Sequence, residues 1–333
     1  MAETFLPAFP LTPSVPKSFK IIPLKNYFSI LTETSLIYTH MNKILYAFIL
    51  LSLYACTPTN TYSPMLWEIT NTKLKKSSYL FGTFHTKDPS LNQLNPEVYT
   101  SLKKVQRLYT EFAMTPQNMQ KIISFSKLKR AIALKKRLHS HTLKKIIHFL
   151  KKNRSKLTLK SLAKYKTWAI AIILSNQSVR NNTPFMDENL VSYAKKKKIK
   201  TSGLESPKEQ LAYFDTLSAS LQEQLLLDTL KKETNQNYKN ALITWYKKGK
   251  ADGFLKLQKR FVSHNIKQKK LDKILIDTLL IKRNIRFARR IDILLKNHSK
   301  YTYFFAIGAG HMSGKQGIIQ KLKDLGYSVK KVD

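Results

Sequence analysis

The chain has 333 residues, 43% of them apolar and 11% aromatic, enough to bury a sizeable core and too many for a disordered polypeptide. Lysine and arginine number 59 against 20 acidic residues, a net charge of +39 that suits the surface to polyanions. A single cysteine excludes any internal disulfide framework.

Residues 1–40 are rich in Pro and Ser, lack clear periodicity, and read as an upstream extension outside the fold, with Met41 a candidate start. Met41-Asn42-Lys43 is a short basic start, residues 44–53 form an apolar run, and Leu53-Tyr54-Ala55-Cys56 places a small residue just before the cysteine. Residues 41–55 therefore resemble a bacterial lipoprotein signal, after which Cys56 becomes the lipidated first residue, although Tyr54 departs from the small residues usual there. The apolar run is too short to span a bilayer comfortably. This reading predicts an exported protein anchored by lipid in the bacterial cell envelope, at the outer membrane or the periplasmic face. Residues 56–64, rich in Thr and Pro, then form a tether, and residues 65–333 form the folded domain.

The predicted elements open with a hairpin, residues 65–70 and 78–84, joined by a polar turn. Pro96 begins a helix running to residue 105, and residues 108–110 form a strand ending at Glu111-Phe112, so a right-handed crossover and a parallel pair are expected. From Pro116 onward the pattern turns helical and strongly basic. One helix is predicted over 159–175, with Trp168, Ala169, Ile172 and Ile173 on its apolar face. Another follows from Met186 to Lys198, then a short strand over 199–204 ending at Glu205. Helices starting at Pro207, Ser218, Thr234 and Asp252 lead to a long one over 271–296. The chain closes with a strand over 301–307, a helix over 315–325 and a strand over 328–332. The expected fold is α/β (α+β): a mixed, partly parallel sheet built from both ends of the chain, with a large central helical insert over 116–298.

Two segments carry one arrangement, an apolar run followed by Gly-x-x-His: Tyr79-Leu80-Phe81-Gly82-Thr83-Phe84-His85 and Tyr303-Phe304-Phe305-Ala306-Ile307-Gly308-Ala309-Gly310-His311. Each run reads as a buried strand, and the glycine is expected to let the backbone turn tightly where the strand ends. His85, Glu111, Glu205 and His311 all fall at predicted C-terminal strand ends, the edge where open α/β sheets keep their ligands. Two imidazoles and a carboxylate make a ligand set for Mn, Co, Zn or Fe, and a metal so held can supply hydroxide at neutral pH. Arg283, Arg286 and Arg290 share one helix face, which is either solvated or presents a fork to a substrate carboxylate. His139, His141, His148, His264 and His298 sit among lysines and are assigned no role.

With these residues in view, the chain resembles the TraB/GumN family, related to the Tiki metalloproteases. The matching residues are Leu66-Trp67-Glu68-Ile69, the first Gly-x-x-His run, Tyr109-Thr110-Glu111, Met186-Asp187 with Leu190, Gly203-Leu204-Glu205-Ser206 with Glu209-Gln210-Leu211, Arg283-Asn284, the second Gly-x-x-His run, and Gly326-Tyr327 with Val329. The resemblance implies a metal-dependent peptidase with a peptide or protein substrate. It points to His85, Glu111 and His311 as the active site, with Arg283 and Asn284 supporting; together with the strand-end reading, His85, His311 and Glu111 are expected at the metal and Glu111, Arg283, Asn284 and Glu205 in the catalytic set. The family commonly carries an acidic residue before Arg-Asn, where this chain has Lys282. The alternative is a non-catalytic envelope protein that binds a peptide signal or an anionic surface. Nucleic acid ranks last among the partners, because lysine dominates the charge and an exported protein meets little of it.

Overall fold

Six strands build one sheet in the order β4-β3-β5-β2-β1-β6 in the computed structural model, which describes residues 62–86, 88–175, 184–254, 257, 266–297 and 300–332. Residues 1–40, the signal-like segment 41–55, Cys56 and tether residues 57–61 lie outside these, as does most of the helix expected from Asp252. Among the described residues no helix is long and apolar enough to cross a membrane.

Strand β1 (Leu66–Thr70) pairs antiparallel with β2 (Ser78–Thr83), with Leu66 opposite Phe81 and Ile69 opposite Ser78. Every residue of β2 is buried, because the strand lies inside the sheet and is covered on both faces, which is why it reads as an unbroken apolar run. A short helix α1 (Pro89–Asn92) and α2 (Pro96–Lys103) lead to β3 (Arg107–Phe112). The start of α2 is set by Asn95, whose side chain accepts the Glu97 N–H, with Pro96 in the first turn.

The expected neighbours β2 and β3 run parallel but do not touch. Strand β5 (Tyr303–Gly308), from the far end of the chain, enters between them and pairs parallel with both, Leu80 and Tyr109 each lying opposite Phe305. Its fully buried aromatics Tyr303, Phe304 and Phe305 explain the choice: the most apolar strand takes the most covered position, each side chain contributing about 2 kcal/mol by burial. Outside β3 lies β4 (Lys200–Glu205), also parallel; outside β1 lies β6 (Ser328–Lys331), reached through α13 (Ile318–Asp324).

Between β3 and β5 the elements among the described residues are helical except for β4. It comprises α3 (Pro116–Ser126), a 3-10 turn Leu134–Lys136, α4 (Ser140–Lys152), α5 (Leu159–Leu162), α6 (Thr167–Ser175), α7 (Met186–Lys196), α8 (Pro207–Asp215), α9 (Ala219–Thr234) and α10 (Gln236–Lys247). A continuous helix closes it: α11 (Ile266–Leu275), a π-helical stretch Ile276–Ile281, and α12 (Lys282–Asn297). The single helix expected over 159–175 is two helices. Its backbone opens at residues 164–166 to pair with an extended segment, Leu128 N–H donating to Lys164 and Lys166 N–H donating to Ser126. Nor does α6 have one apolar face: Ile170 packs in a core with Ile146, Phe149 and Leu226, while Trp168 packs in another with Phe214 and Leu271.

Candidate active site

The four parallel strands β2, β3, β4 and β5 deliver His85, Glu111, Glu205 and His311 to one sheet edge: Glu111 and Glu205 lie within the last two residues of their strands, and the histidines follow theirs. The glycines act differently from the expectation. Neither Gly82 nor Gly308 has a positive φ. A Cβ on Gly308 would lie 3.1 Å from Glu111 Oε1, and one on Gly82 would lie 3.1 Å from Met65 Cβ and 3.2 Å from Ala309 Cα. What the motif requires here is the missing side chain, which lets Glu111 and the β5 exit close in.

Glu111 is held from three sides. Its Oε1 accepts the Gly308 N–H at 2.9 Å, and its Oε2 accepts from Gln210 Nε2 at 2.9 Å and from Arg283 Nη2 at 2.5 Å. Burial opposes its charge, but Arg283, the two histidines and the Gly308 N–H outweigh burial and hold the carboxyl down at about 2. Arg283, buried on α12, also donates through Nε and Nη2 to Glu205 Oε1 at 3.0 and 2.5 Å, and through Nη1 to Leu279 O at 3.2 Å. Burial works against this guanidinium, and the two carboxylates raise its pKa above the ordinary value.

The basic face of α12 is thus paired. Arg286 donates to Glu205 Oε2 at 2.6 Å, and Arg290 to Leu204 O and to Glu209. Glu209 also accepts the Ser206 N–H, completing the cap of α8, and the Arg290 bond helps hold it down at about 2. Lys282, at the position where the resemblance led to the expectation of an acid, lies off this network and pairs with Asp277 at 3.0 Å, both side chains more than half exposed.

His311 is 5% exposed. Its Nδ1 lies 2.6 Å from Asn284 Oδ1 and its Nε2 lies 3.1 Å from Arg283 Nη1, with Glu111 Oε1 at 3.9 Å. Burial and the neighbouring guanidinium lower its pKa to about 4. The ring is neutral at pH 7, so Nδ1 donates to Asn284 and Nε2 accepts from Arg283, a tautomer assigned from the bonding partners. Asn284 is itself fixed by donating to Gln316 O at 2.7 Å.

His85 stands apart from this knot, with a side chain 57% exposed. Its Nδ1 is 3.6 Å from Oδ2 of Asp187, a buried carboxylate at the first turn of α7 that sequence reasoning left without a role. That Oδ2 has no hydrogen-bond partner at ordinary distance and angle among the described residues; the Thr83 hydroxyl, likewise without one, lies close enough to help lower the Asp187 pKa. Burial raises the Asp187 pKa; His85 lowers it and Glu111 raises it again, which places both halves of the edge in one electrostatic field. Tyr246 on α10 braces the loop: its hydroxyl donates to Gly82 O at 2.7 Å and its ring stacks on Phe84. The signal for Asp187 was available, since Met186-Asp187 opens a helix within the quoted matches. Gln210 likewise sits inside the Glu209-Gln210-Leu211 match, whereas nothing in the sequence marks Tyr246.

The expected convergence of His85, Glu111 and His311 on one point is not what the side chains do. Among the described residues no three His, Cys, Asp or Glu side chains close around a site for a metal ion, because Arg283 takes Glu111 Oε2 and His311 Nε2 for itself. The donor types still suit a divalent cation: two imidazoles, and two carboxylates of which one presents a bare oxygen.

A family model described as TraB/PrgY/gumN matches residues 65–331, nearly the whole described domain. The chain belongs to the TraB/PrgY/gumN family. Among curated relatives, Metalloprotease TIKI2 of Xenopus tropicalis is 27% identical over 190 residues, covering 50% of this chain and 36% of the relative. Metalloprotease TIKI1 of Danio rerio is 28% identical over 164 residues, 44% of this chain and 33% of the relative. A Metalloprotease TIKI homolog of Nematostella vectensis is 42% identical over 62 residues, 19% of this chain and 13% of the relative. The chain thus spans about a third or less of the length of these relatives. No solved structure matches it.

Proposed function

We propose that this TraB/PrgY/gumN protein is a metal-dependent hydrolase acting on peptides, with its site at the sheet edge that carries His85, Glu111, Asp187 and His311. The observation that carries the reading is the bare Oδ2 of Asp187, a buried carboxylate oxygen without an ordinary hydrogen-bond partner among the described residues, beside the solvent-facing His85. Such an atom is costly unless it serves a ligand. The names of the TIKI relatives, all metalloproteases, support the choice of class.

The residues that would hold the cation are His85 and Asp187 on the open side and Glu111 and His311 on the closed side. A bound divalent ion supplies a hydroxide-strength nucleophile at neutral pH. Asn284 fixes the His311 tautomer that leaves the lone pair on Nε2, where Arg283 now donates and a cation would take its place. Glu111, ionised at neutral pH, can accept a proton from an attacking water, while Arg283, whose five N–H groups are all donated to Glu111, Glu205, Leu279 O and His311, would have to release one of them to steady negative charge on a carbonyl oxygen. Glu205, which touches Arg283 and Arg286 and is fully buried, acts by positioning Arg283.

Purified protein should bind close to one equivalent of Mn²⁺ or Co²⁺ by calorimetry and cleave a quenched-fluorescence peptide library. A His85→Ala, His311→Ala double variant should lose both. Unchanged binding in that variant would remove the site from consideration, and binding without turnover on any peptide would favour a non-catalytic peptide binder. Export and lipidation at Cys56 belong to the same proposal and rest on the sequence. Mass spectrometry of protein extracted from membranes should find a diacylglyceryl-modified Cys56 at the mature N-terminus, and an unmodified residue 56 would refute it.

A further inference from the structure

Residues 112–186, which leave the sheet at the end of β3 and return at the start of α7, contain 17 Lys and Arg and not one Asp or Glu. In the rest of residues 56–333 acids stand to bases as 18 to 38, so about five acids would be expected among so many charged positions. The acid-free run begins immediately after Glu111 and ends immediately before Asp187. A general bias toward lysine does not produce such an interruption.

The charge faces outward. Of the sixteen basic residues at described positions, fourteen are exposed, and among the described residues none of those fourteen forms an ion pair. The other two are turned inward and partnered: Arg137 donates to Tyr165 O at 3.0 Å, and Lys166 pairs with Asp215 at 2.6 Å. The carboxylates that reach the arm from α8 and α9 are already engaged there. Asp215 also accepts from Trp168 Nε1, and Glu223 accepts from the His139 backbone and Thr142 Oγ1. They hold the arm together and leave its outer field uncancelled.

Apolar side chains share this surface. Of the six large hydrophobic residues most exposed among those described, four lie in the arm: Met119, Ile123, Ile132 and Ile147, between 38% and 46% exposed. Met119 and Ile123 are one turn apart on α3, with Lys121 between them in sequence and Lys127, Lys129 and Arg130 following. Exposed aliphatic residues interspersed in sequence with exposed lysines fit the boundary of an anionic bilayer, where apolar chains enter the headgroup layer and ammonium groups meet lipid phosphates. Nucleic acid fits less well. Thirteen of the seventeen bases are lysines, and four of the arm's six large aromatics, Phe125, Phe149, Tyr165 and Trp168, are wholly or partly buried in cores shared with α8, α9 and α11, which leaves little aromatic surface for base stacking.

We propose that the acid-free arm docks on an anionic phospholipid surface through Met119, Ile123 and Ile132 and the lysines around them. The docking is independent of the hydrolase reading and needs no metal. Because the arm is rooted at Glu111 and at Asp187, docking would tie the candidate site to the lipid surface.

Full-length protein is sedimented with phosphatidylcholine vesicles and with phosphatidylcholine vesicles containing phosphatidylglycerol, across a salt series. Neutral vesicles report whatever the apolar N-terminal segment contributes, so the gain on anionic vesicles belongs to charge. The triple variant Lys127→Gln, Lys129→Gln, Arg130→Gln should bind anionic vesicles about a hundredfold more weakly, with neutral vesicles unaffected, since each base near such a surface is worth about fivefold. Met119→Ser with Ile123→Ser should weaken anionic binding and leave the salt dependence intact. Equal affinity for the two vesicle types, an unchanged triple variant, or tighter binding to a single-stranded DNA oligonucleotide than to the anionic vesicles would overturn the proposal.

Discussion

Replacing Arg283 with Met removes the one cation shared by Glu111, Glu205 and His311 and keeps most of the side chain's bulk. In the native protein that guanidinium bonds Glu205 at 3.0 and 2.5 Å and Glu111 at 2.5 Å. After substitution Glu205 retains Arg286, and Glu111 retains only the neutral donors Gln210 and Gly308. Leaving a buried charge without its partner costs about 3 to 5 kcal/mol. A second route gives the same size: a carboxyl held at about 2 against an ordinary 4.5 carries about 3 kcal/mol of pH-dependent stability. The sign follows from the direction of the shift. The folded-state value is depressed, so this stability is present above pH 4.5 and disappears as pH falls through 2. The variant's Glu111, buried and without the arginine, loses the largest contribution to that depression. Urea unfolding of the metal-free protein should therefore show Arg283→Met less stable by about 3 kcal/mol at pH 7, with the gap closing as pH drops below 4.5. Arg283→Lys should keep part of the stability, since it retains the charge and loses the fork. A loss below about 1 kcal/mol at pH 7, or a gap that does not narrow in acid, would refute the view that Arg283 is the counter-ion of the site.

Asp187→Asn removes a buried carboxylate with a bare oxygen, so the metal-free protein should keep its melting temperature or gain slightly, while cation affinity by calorimetry falls at least tenfold. His85→Ala, at an exposed position, should cost less than about 0.5 kcal/mol by urea unfolding and should weaken cation binding by a comparable factor. Tyr246→Phe loses the bond to Gly82 O and should destabilise by about 1 kcal/mol or slightly more in the same assay. Gly203→Ala should be far more damaging, visible as a drop in soluble yield and melting temperature. A Cβ there would lie 2.3 Å from the Ala113 backbone nitrogen, which cannot move without opening the β3 to β4 ladder.

The strands and the helices with clear caps were legible in the chain. Apolar runs at residues 78–84 and 301–307 became β2 and β5, and Pro96 and Pro207 started α2 and α8 where expected. Helix α6 was misread because periodicity assumes one buried side, and this helix is buried between two cores. The helix face with Arg283, Arg286 and Arg290 invited a solvated reading because its partners, Glu111, Glu205 and Glu209, lie 78 to 172 residues away in sequence. Glycine spacing was informative for a different reason from the one first apparent, since the crowding around Gly82 and Gly308 comes from Met65, Ala309 and Glu111.

Local chemistry, meaning apolar runs, caps and the order of motifs, determined by itself which segments become strands, that two histidines and two glutamates finish at the ends of parallel ones, and that the chain carries a single uneven charge. Only the tertiary structure decided that β5 slips between β2 and β3, that Arg283 claims the ligand atoms of Glu111 and His311, and that Asp187 and His85 form the open half of the edge. The reason is one of range. Backbone preference and burial act within a few residues of sequence, whereas the partner a buried charge finds depends on which distant strands a whole core brings together.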